Sequence, residues 1–329
     1  MSIKEDTNLD IIDETLRPGK LSHFIGQEKI KEGLDIFISA AKQRDESLFH
    51  VLIHGSPGLG KTTLAKIIAK ELGVNYTMTS GPALERQGDL AAIISNLSDG
   101  DVFFIDEIHR LGKPIEEMLY SAMEDFTIDV VFGKGPSART VKLDLPKFTL
   151  IGATTKMGML SSPLRDRFGV IYQLNYYDDD EIDKIIKRSA KILNIQINPK
   201  STKLIASRSR KTPRIANRIL QRVRDFAQVK GDGKINEKNA IEALNMLCID
   251  EFGLDDTDRK ILKTIANNFS GGPVGLKTLS VATSQDQQTL EEVVEPFLLQ
   301  LGFINRTSQG RKITNKGLIH LGLSPKGML

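Results

Sequence analysis

Short apolar runs alternate with helical patterns from about residue 27 to 175. "HVLIH" (50–54), "DVFFID" (101–106), "FTLIGAT" (148–154) and "GVIYQL" (169–174) read as strands, with "VNYTMT" (74–79) a weaker fifth. The runs at 101–106 and 148–154 are nearly continuous rather than alternating. That predicts strands buried on both faces, as in a parallel sheet covered by helices. Between them, Val141, Leu143 and Leu145 alternate with Thr140, Lys142 and Asp144, and "GKGPS" supplies a turn. The segment 127–145 is therefore expected to be a two-stranded hairpin that projects from the domain.

From about residue 178 the pattern becomes helical. "DDDEIDKIIKRSAKIL", "PKSTKLIASRSR", "TPRIANRILQRVRDFAQV" and "NEKNAIEALNML" each repeat apolar residues at three- and four-residue spacing. The acids that open the first suit a helix N-terminus. "FGLDDTD" (252–258) reads as a linker running into a helix start. Helical patterns then cover 256–269, about 275–282 and 289–301. "FINRTSQGRKIT" (303–314) reads as strand, turn, strand. Helices followed by a β-ribbon predict a winged helix. The expected fold is an α/β P-loop domain with a parallel sheet (1–177), a small all-α lid domain (178–250) and a C-terminal winged-helix domain (251–329).

Composition changes this picture little. Of 329 residues, 40% are hydrophobic and 26% charged, as in ordinary globular protein. No run of 18 apolar residues argues for a membrane span. The opening "MSIKEDTNLD" has no apolar core, so no secretory signal is expected. The single cysteine, Cys248, leaves no disulfide within the chain and fits a cytoplasmic location. The net charge of +3 identifies no partner, but its distribution is uneven. Residues 200–230 hold ten Lys or Arg against one acid, Asp225, and residues 300–329 hold five against none. Clustered basic charge suits polyanion contact, and it equally suits a solvated helix face.

The chemistry begins with "GSPGLGKT" (55–62), which matches G-x-x-x-x-G-K-[ST] between a strand and a helical pattern. Backbone N–H groups of such a loop wrap phosphates at a helix N-terminus. Lys61 is expected to bind the β- and γ-phosphates of ATP, and Thr62 to ligate Mg²⁺. "DVFFIDE" ends an apolar strand in two acids at the sheet's C-terminal edge. Asp106 is placed to hold Mg²⁺ and Glu107 to polarise the attacking water; alone, the pair would be ordinary surface acids. In "FTLIGATT" a threonine hydroxyl, Thr155 foremost, can meet the water or the γ-phosphate, although threonine is also common in strands. In "KTPRIANR", Thr212 suits an N-cap and Pro213 the first helical position. Arg214 then sits in the first turn, as a phosphate contact or a plain surface residue. "SPLRDRFG" (162–169) leaves the same choice open for Arg165 and Arg167.

Together these pieces resemble the AAA+ ATPases. "LRPGKLSHFIGQ", "TSGPALERQGDLAAI", "FFIDEIHRL", "AMEDF", "DLPKFTLIGATT", "SPLRDRFG", "TPRIANR", "GGPVGLKTL" and "EPFLLQLGFINRT" narrow the resemblance to the RuvB family, the bacterial Holliday-junction branch-migration motors. It runs in order along nearly the whole chain from about residue 14. The resemblance implies an ATP hydrolase acting as a homohexameric ring on duplex DNA at four-way junctions in recombination and repair. It implies RuvA as the partner docked on the 127–145 hairpin, through Val130, Val131 and Phe132, and admits the resolvase RuvC as a further one. Arg167 matches the family's arginine finger, which reaches the γ-phosphate held by the neighbouring subunit; Arg165 keeps only a pairing with a nearby acid. Nucleotide contacts are implied at Leu16, Arg17, Gly58, Lys61, Thr62, Thr63, Glu124, Asp125, Phe126 and Tyr177, with Arg214 as the lid's sensor of the γ-phosphate. DNA contact is implied at Arg306 and Arg311, on either side of the "TSQG" turn, where both are expected to reach the phosphate backbone.

Three departures from the family pattern stand out. Ser56 replaces the usual proline, which is expected to loosen the phosphate loop slightly. Lys211 replaces glycine before "TPR", which puts the local turn in question, and Lys113 and Pro114 alter the segment after the two acids. A clamp loader or replication initiator would share the ATP site, and a non-enzymatic DNA-binding regulator could use ATP to assemble. The hairpin and "GGPVGL" favour branch migration over the first two. Glu107 argues against the third, because assembly alone does not require it.

Overall fold

The computed structural model describes residues 14–132 and 139–324. The chain divides into two compact units between Tyr176 and Tyr177. The first is built on strands β1 (Val51–His54), β2 (Tyr76–Ser80), β3 (Val102–Asp106), β6 (Thr149–Thr154) and β7 (Val170–Gln173), in the order β2-β3-β6-β1-β7. Every pairing in this sheet is parallel. Parallel neighbours require long crossovers, which helices supply here. These are α2 (Lys61–Leu72), α3 (Gln87–Ile94), α4 (Lys113–Glu124) and the short α5 (Ser162–Asp166), while α1 (Glu28–Arg44) precedes β1.

The continuous apolar runs have the expected cause. Leu52, Phe103, Ile105 and Leu150 face a core shared with Leu90 and Ile94 of α3 and Leu119 and Ala122 of α4. The alternate residues Val51, Ile53, Phe104 and Ile151 are equally buried, on the face where α2 packs against β2, β3 and β6. The weak pattern at 74–79 also has a cause. It forms β2, the edge strand, whose residues are only half-buried or exposed.

The projecting segment is an antiparallel pair, β4 (Thr127–Phe132) with β5 (Arg139–Asp144), in the register Thr127↔Asp144 to Phe132↔Arg139. Buried Ile128 and the adjoining Leu143 anchor its base to the core. Its turn, 133–138, lies outside the described residues, as do the side chains of Val130, Val131 and Phe132.

The second unit begins with four helices: α6 (Asp179–Ile192), α7 (Pro199–Ser207), α8 (Pro213–Lys230) and α9 (Glu237–Met246). Asp178 opens α6 with a reciprocal capping box, accepting from Glu181 N at 2.7 Å while Glu181 Oε2 accepts from Asp178 N at 2.9 Å. Thr212 takes the N-cap position of α8 but makes no side-chain cap. Its hydroxyl turns back toward Ser209 O at 3.4 Å, so the expected cap is not made. The unusual Lys211 sits at φ 55°, and Arg210 before it at φ 50°. This left-handed backbone is why glycine suits the turn and a side chain there is strained.

The remainder comprises α10 (Asp256–Asn268), α11 (Leu276–Thr283), α12 (Gln287–Thr289), a π turn at Leu290–Val294, α13 (Glu295–Gln300), the hairpin β8 (Ile304–Thr307) with β9 (Gly310–Ile313), and α14 (Asn315–His320). The single helix expected at 289–301 is thus interrupted just before Pro296, which has no N–H to continue the ladder. Val274 bridges to Arg311 and adds a third strand position to the hairpin. Leu262, Leu290, Leu298 and Phe303 fill the core of this winged helix. Its wing turn needs glycine. At Gly310 (φ 136°) a Cβ would lie 2.4 Å from Val274 O.

Candidate active site

The phosphate loop leaves the C-terminal end of β1. Gly55 lies against β7 so closely that a Cβ would meet Leu174 O at 2.7 Å. Gly58 and Gly60 both have positive φ, and Gly60 is the N-cap of α2. Lys61, Thr62 and Thr63 therefore occupy the first helical turn, where backbone N–H groups have no intrahelical partner. Lys61 is buried, with Nζ donating to Gly55 O at 2.8 Å and Ser56 O at 3.0 Å. Burial first, then the nearby Lys61 charge, pushes the pKa of His54 down. Ser56 gives the loop a tether of its own. Its hydroxyl accepts from Tyr176 Oη at 2.8 Å, a tether that proline could not accept.

Asp106 ends β3, which pairs with β6 rather than with β1. Even so, Thr62 Oγ1 donates to Asp106 Oδ2 at 3.2 Å. A hydroxyl and a carboxylate facing each other beside a phosphate loop are the hard oxygen donors that Mg²⁺ takes. That ion needs only one or two protein ligands when substrate phosphates supply others. The two residues therefore fit the metal expected of them. Leu16 is buried, and its segment is held on α2 by the Lys66–Glu14 ion pair and by Leu21 N donating to Glu71 Oε1 at 2.9 Å. Burial and then the Asp106 charge push the Tyr76 phenol upward while Arg17 acts oppositely, so both charges act on one ring.

Glu107 follows in left-handed backbone, φ 51°. Its carboxylate lies 3.5 Å from His109 Nε2. The other nitrogen of the buried His109 is 2.9 Å from Thr154 Oγ1, which also accepts from Lys156 N at 2.9 Å. Of the two threonines ending β6, Thr154 is thus engaged internally. Thr155 Oγ1 is buried with no hydrogen-bond partner among the described residues. The sequence does not single out His109, because its partner Thr154 is 45 residues away.

Arg167 lies elsewhere. Two residues on, Gly169 N donates to His50 O at 3.0 Å, so this segment enters β7 level with the start of β1. The phosphate loop leaves the other end. Five residues of extended chain separate His50 from Gly55, about 17 Å at about 3.3 Å each. Arg167 donates to Glu124 Oε2 at 2.7 Å and Pro163 O at 2.9 Å, with its guanidinium 4.7 Å from the Tyr120 ring. Phe126 packs its ring near His50 and Phe148 at this same edge. Glu124, Asp125, Phe126 and Arg167 thus form one cluster, at the opposite edge of the sheet from Lys61. Among the described residues Arg165 pairs with no acid; it donates to Ser162 Oγ at 2.9 Å.

In the second unit, Tyr177 is buried and its N–H donates to Lys211 O at 3.1 Å. Arg214 is exposed in the first turn of α8. On the wing, Arg306 and Arg311 are cross-strand partners, and only Arg306 is exposed. The expectation that both reach a phosphate backbone needs correction. Arg311 is buried and gives Glu295 Oε2 two hydrogen bonds, from Nε at 3.1 Å and Nη2 at 2.8 Å. A buried carboxylate requires such a partner, so this guanidinium is occupied within the fold.

A glycine-rich loop at a helix N-terminus, with hard oxygen donors beside it and a winged helix downstream, defines a P-loop ATPase of the AAA+ class joined to a nucleic-acid-binding module. Comparison with known proteins narrows the class. Residues 16–174 match the model of the Holliday junction DNA helicase RuvB P-loop domain, 177–250 the RuvB AAA lid domain, and 251–322 the RuvB C-terminal winged helix domain. Thermotoga maritima RuvB, described as a Holliday junction branch migration motor, is 50% identical over 94% of this chain and 99% of its own, with a TM-score of 0.87. A mutant of that protein matches at 51% identity with the same coverage and TM-score. The Aeropyrum pernix ORC2 protein, at 15% identity over 88% of this chain and 90% of its own with a TM-score of 0.52, shares the fold alone. The chain belongs to the RuvB family.

The unpartnered Thr155 hydroxyl yields a test. A buried hydroxyl without a partner costs stability, so Thr155→Val is expected to leave thermal unfolding unchanged or slightly raised while ATP turnover falls at least about tenfold. Full turnover in the variant would leave Thr155 without a role.

Proposed function

We propose that the chain hydrolyses ATP with Mg²⁺ at a site completed by a second copy, and uses it as a homohexameric ring to drive branch migration of Holliday junctions with RuvA. The observation that carries this reading is the placement of Arg167 and Lys61 at opposite edges of one parallel sheet. No side chain bridges that separation within a chain, whereas a neighbour presenting its Arg167 edge completes the site.

In this reading Gly58, Lys61, Thr62 and Thr63 bind the phosphates, and Thr62 and Asp106 hold Mg²⁺. When bound, the metal neutralises charge on the β- and γ-phosphate oxygens. Glu107 orients and polarises the attacking water, with His109 beside its carboxylate, and Thr155 offers its hydroxyl to the water or the γ-phosphate. Leu16, Arg17 and Tyr177 line the nucleoside. Arg167 of the neighbour, steadied by Glu124 with Asp125 and Phe126 alongside, meets the charge that develops on the γ-phosphate. Arg214 senses that phosphate from the lid. RuvA docks on the hairpin of residues 127–145, and RuvC stands as a further partner at the junction. The wing meets the DNA backbone through Arg306, which positions the protein without reading sequence.

Two outcomes are expected. Arg167→Ala retains ATP binding but loses about 10³-fold or more in turnover; comparable turnover in the variant would remove the finger assignment. DNA affinity falls with salt, and Arg306→Ala lowers the log–log slope by about 0.9, one phosphate contact, with no change in base preference. An unchanged slope would move the contact to another residue.

A further inference from the structure

One buried carboxylate of the second unit, Asp258, lies where the lid helices meet the winged helix. Arg210, in the turn before α8, has a nearly buried side chain that crosses to the start of α10. Its Nη2 donates to Asp255 Oδ2 at 2.8 Å and to Asp258 Oδ2 at 2.6 Å. Its Nε donates to Gly253 O at 3.1 Å, and the guanidinium lies 4.7 Å from the Phe297 ring. Arg208 reaches Ile249 O at 3.2 Å from the same turn.

The connecting segment is fixed from its far side as well. Asp250 accepts from Leu254 N at 2.9 Å and pairs with Arg259 at 3.3 Å and His320 Nε2 at 3.1 Å. The His320 ring stacks on Phe303, 4.8 Å between centroids. At Gly253 a Cβ would lie 2.6 Å from Arg208 O, so linker and turn touch backbone to backbone.

The same turn points the other way too. Lys211 O accepts from Tyr177 N, and Arg214 follows three residues later. One strained stretch, with Arg210 and Lys211 both at positive φ, therefore joins the lid's nucleotide-facing residues to the DNA-binding module.

We propose that Arg210 is a positioning residue that locks the lid to the winged helix as one moving body, so that nucleotide-driven lid movement is delivered to the wing on DNA. This rests on the function proposed above. A buried ion pair adds little net stability against an apolar contact of similar volume, but a planar guanidinium held by two carboxylates and a carbonyl fixes an angle. The ammonium of a lysine, a point charge on a flexible stem, could not do this; the fork geometry is what sets orientation. The compact unit that begins at Tyr177 contains both lid and winged helix, as the proposal requires. Burial pushes the Asp258 carboxyl up to about 7 while Arg210 pulls it down. Without Arg210, Asp258 can take up a proton instead of standing as a bare buried charge, and circular dichroism of Arg210→Ala checks that the fold is kept.

The test uses the full chain with spin labels at Lys200→Cys in α7 and Val281→Cys in α11, both exposed, in a Cys248→Ser background. The expected result is a narrow label distance, the same with ADP and with a non-hydrolysable ATP analogue, that broadens in Arg210→Ala. In unlabelled protein, hydrolysis without DNA stays unchanged in Arg210→Ala, while base pairs migrated per ATP fall about tenfold. Arg210→Lys, which keeps the charge and loses the fork, falls between. A narrow distance in Arg210→Ala, or migration and hydrolysis falling in step at a constant ratio, overturns the proposal. If the wild type moves no junction at all, the motor reading fails, and the label distances still decide whether the joint is rigid.

Discussion

The parallel direction of five strands is the constraint on which the rest depends. Parallel strands send all their C-terminal ends to one edge, and there the phosphate loop, Asp106, Glu107 and Thr155 gather. They send the N-terminal ends to the other edge, where β7 begins and Arg167 lies. Helix α4 carries the chain from the first edge to the second and delivers Glu124 to Arg167. In the function proposed here, each edge of the sheet carries half of the catalytic site. Repeating copies head to tail is the simplest way to bring the halves together, and such contacts close into rings when the rotation allows.

Much of this is legible in the chain. The phosphate loop declares itself because glycine is needed where φ turns positive and where Leu174 O leaves no room for a side chain. The buried strands declare themselves because residues such as Phe103 and Phe104 face opposite cores. Strand order is not legible, and it is strand order that sets β6 beside β3. The same limit hides His109, whose partner Thr154 comes from another strand. Ser56 reads as a defect only because its acceptor role depends on Tyr176, 120 residues on.

The wing and the joint teach the same lesson with charge. Arg306 and Arg311 look equivalent in sequence, on either side of a turn. Antiparallel register sets them opposite each other; buried Glu295 takes two hydrogen bonds from Arg311 and only a 3.8 Å ion pair from exposed Arg306. Arg210 reads as part of a basic cluster, yet its partners lie 45 and 48 residues away and bury it. Surplus positive charge in the sequence thus divides into groups that hold the fold and groups left for a polyanion, and only three-dimensional pairing separates them.

The split site is tested most directly by mixing two inactive chains. Glu107→Gln keeps its Arg167, and Arg167→Ala keeps its Glu107. If each site takes its water-orienting carboxylate from one chain and its arginine from the next, an equal mixture regains about one quarter of wild-type ATP turnover, the chance that an intact Glu107 meets an intact Arg167. A mixture as inactive as its components, under conditions where the two chains co-assemble, would contradict a site shared between copies.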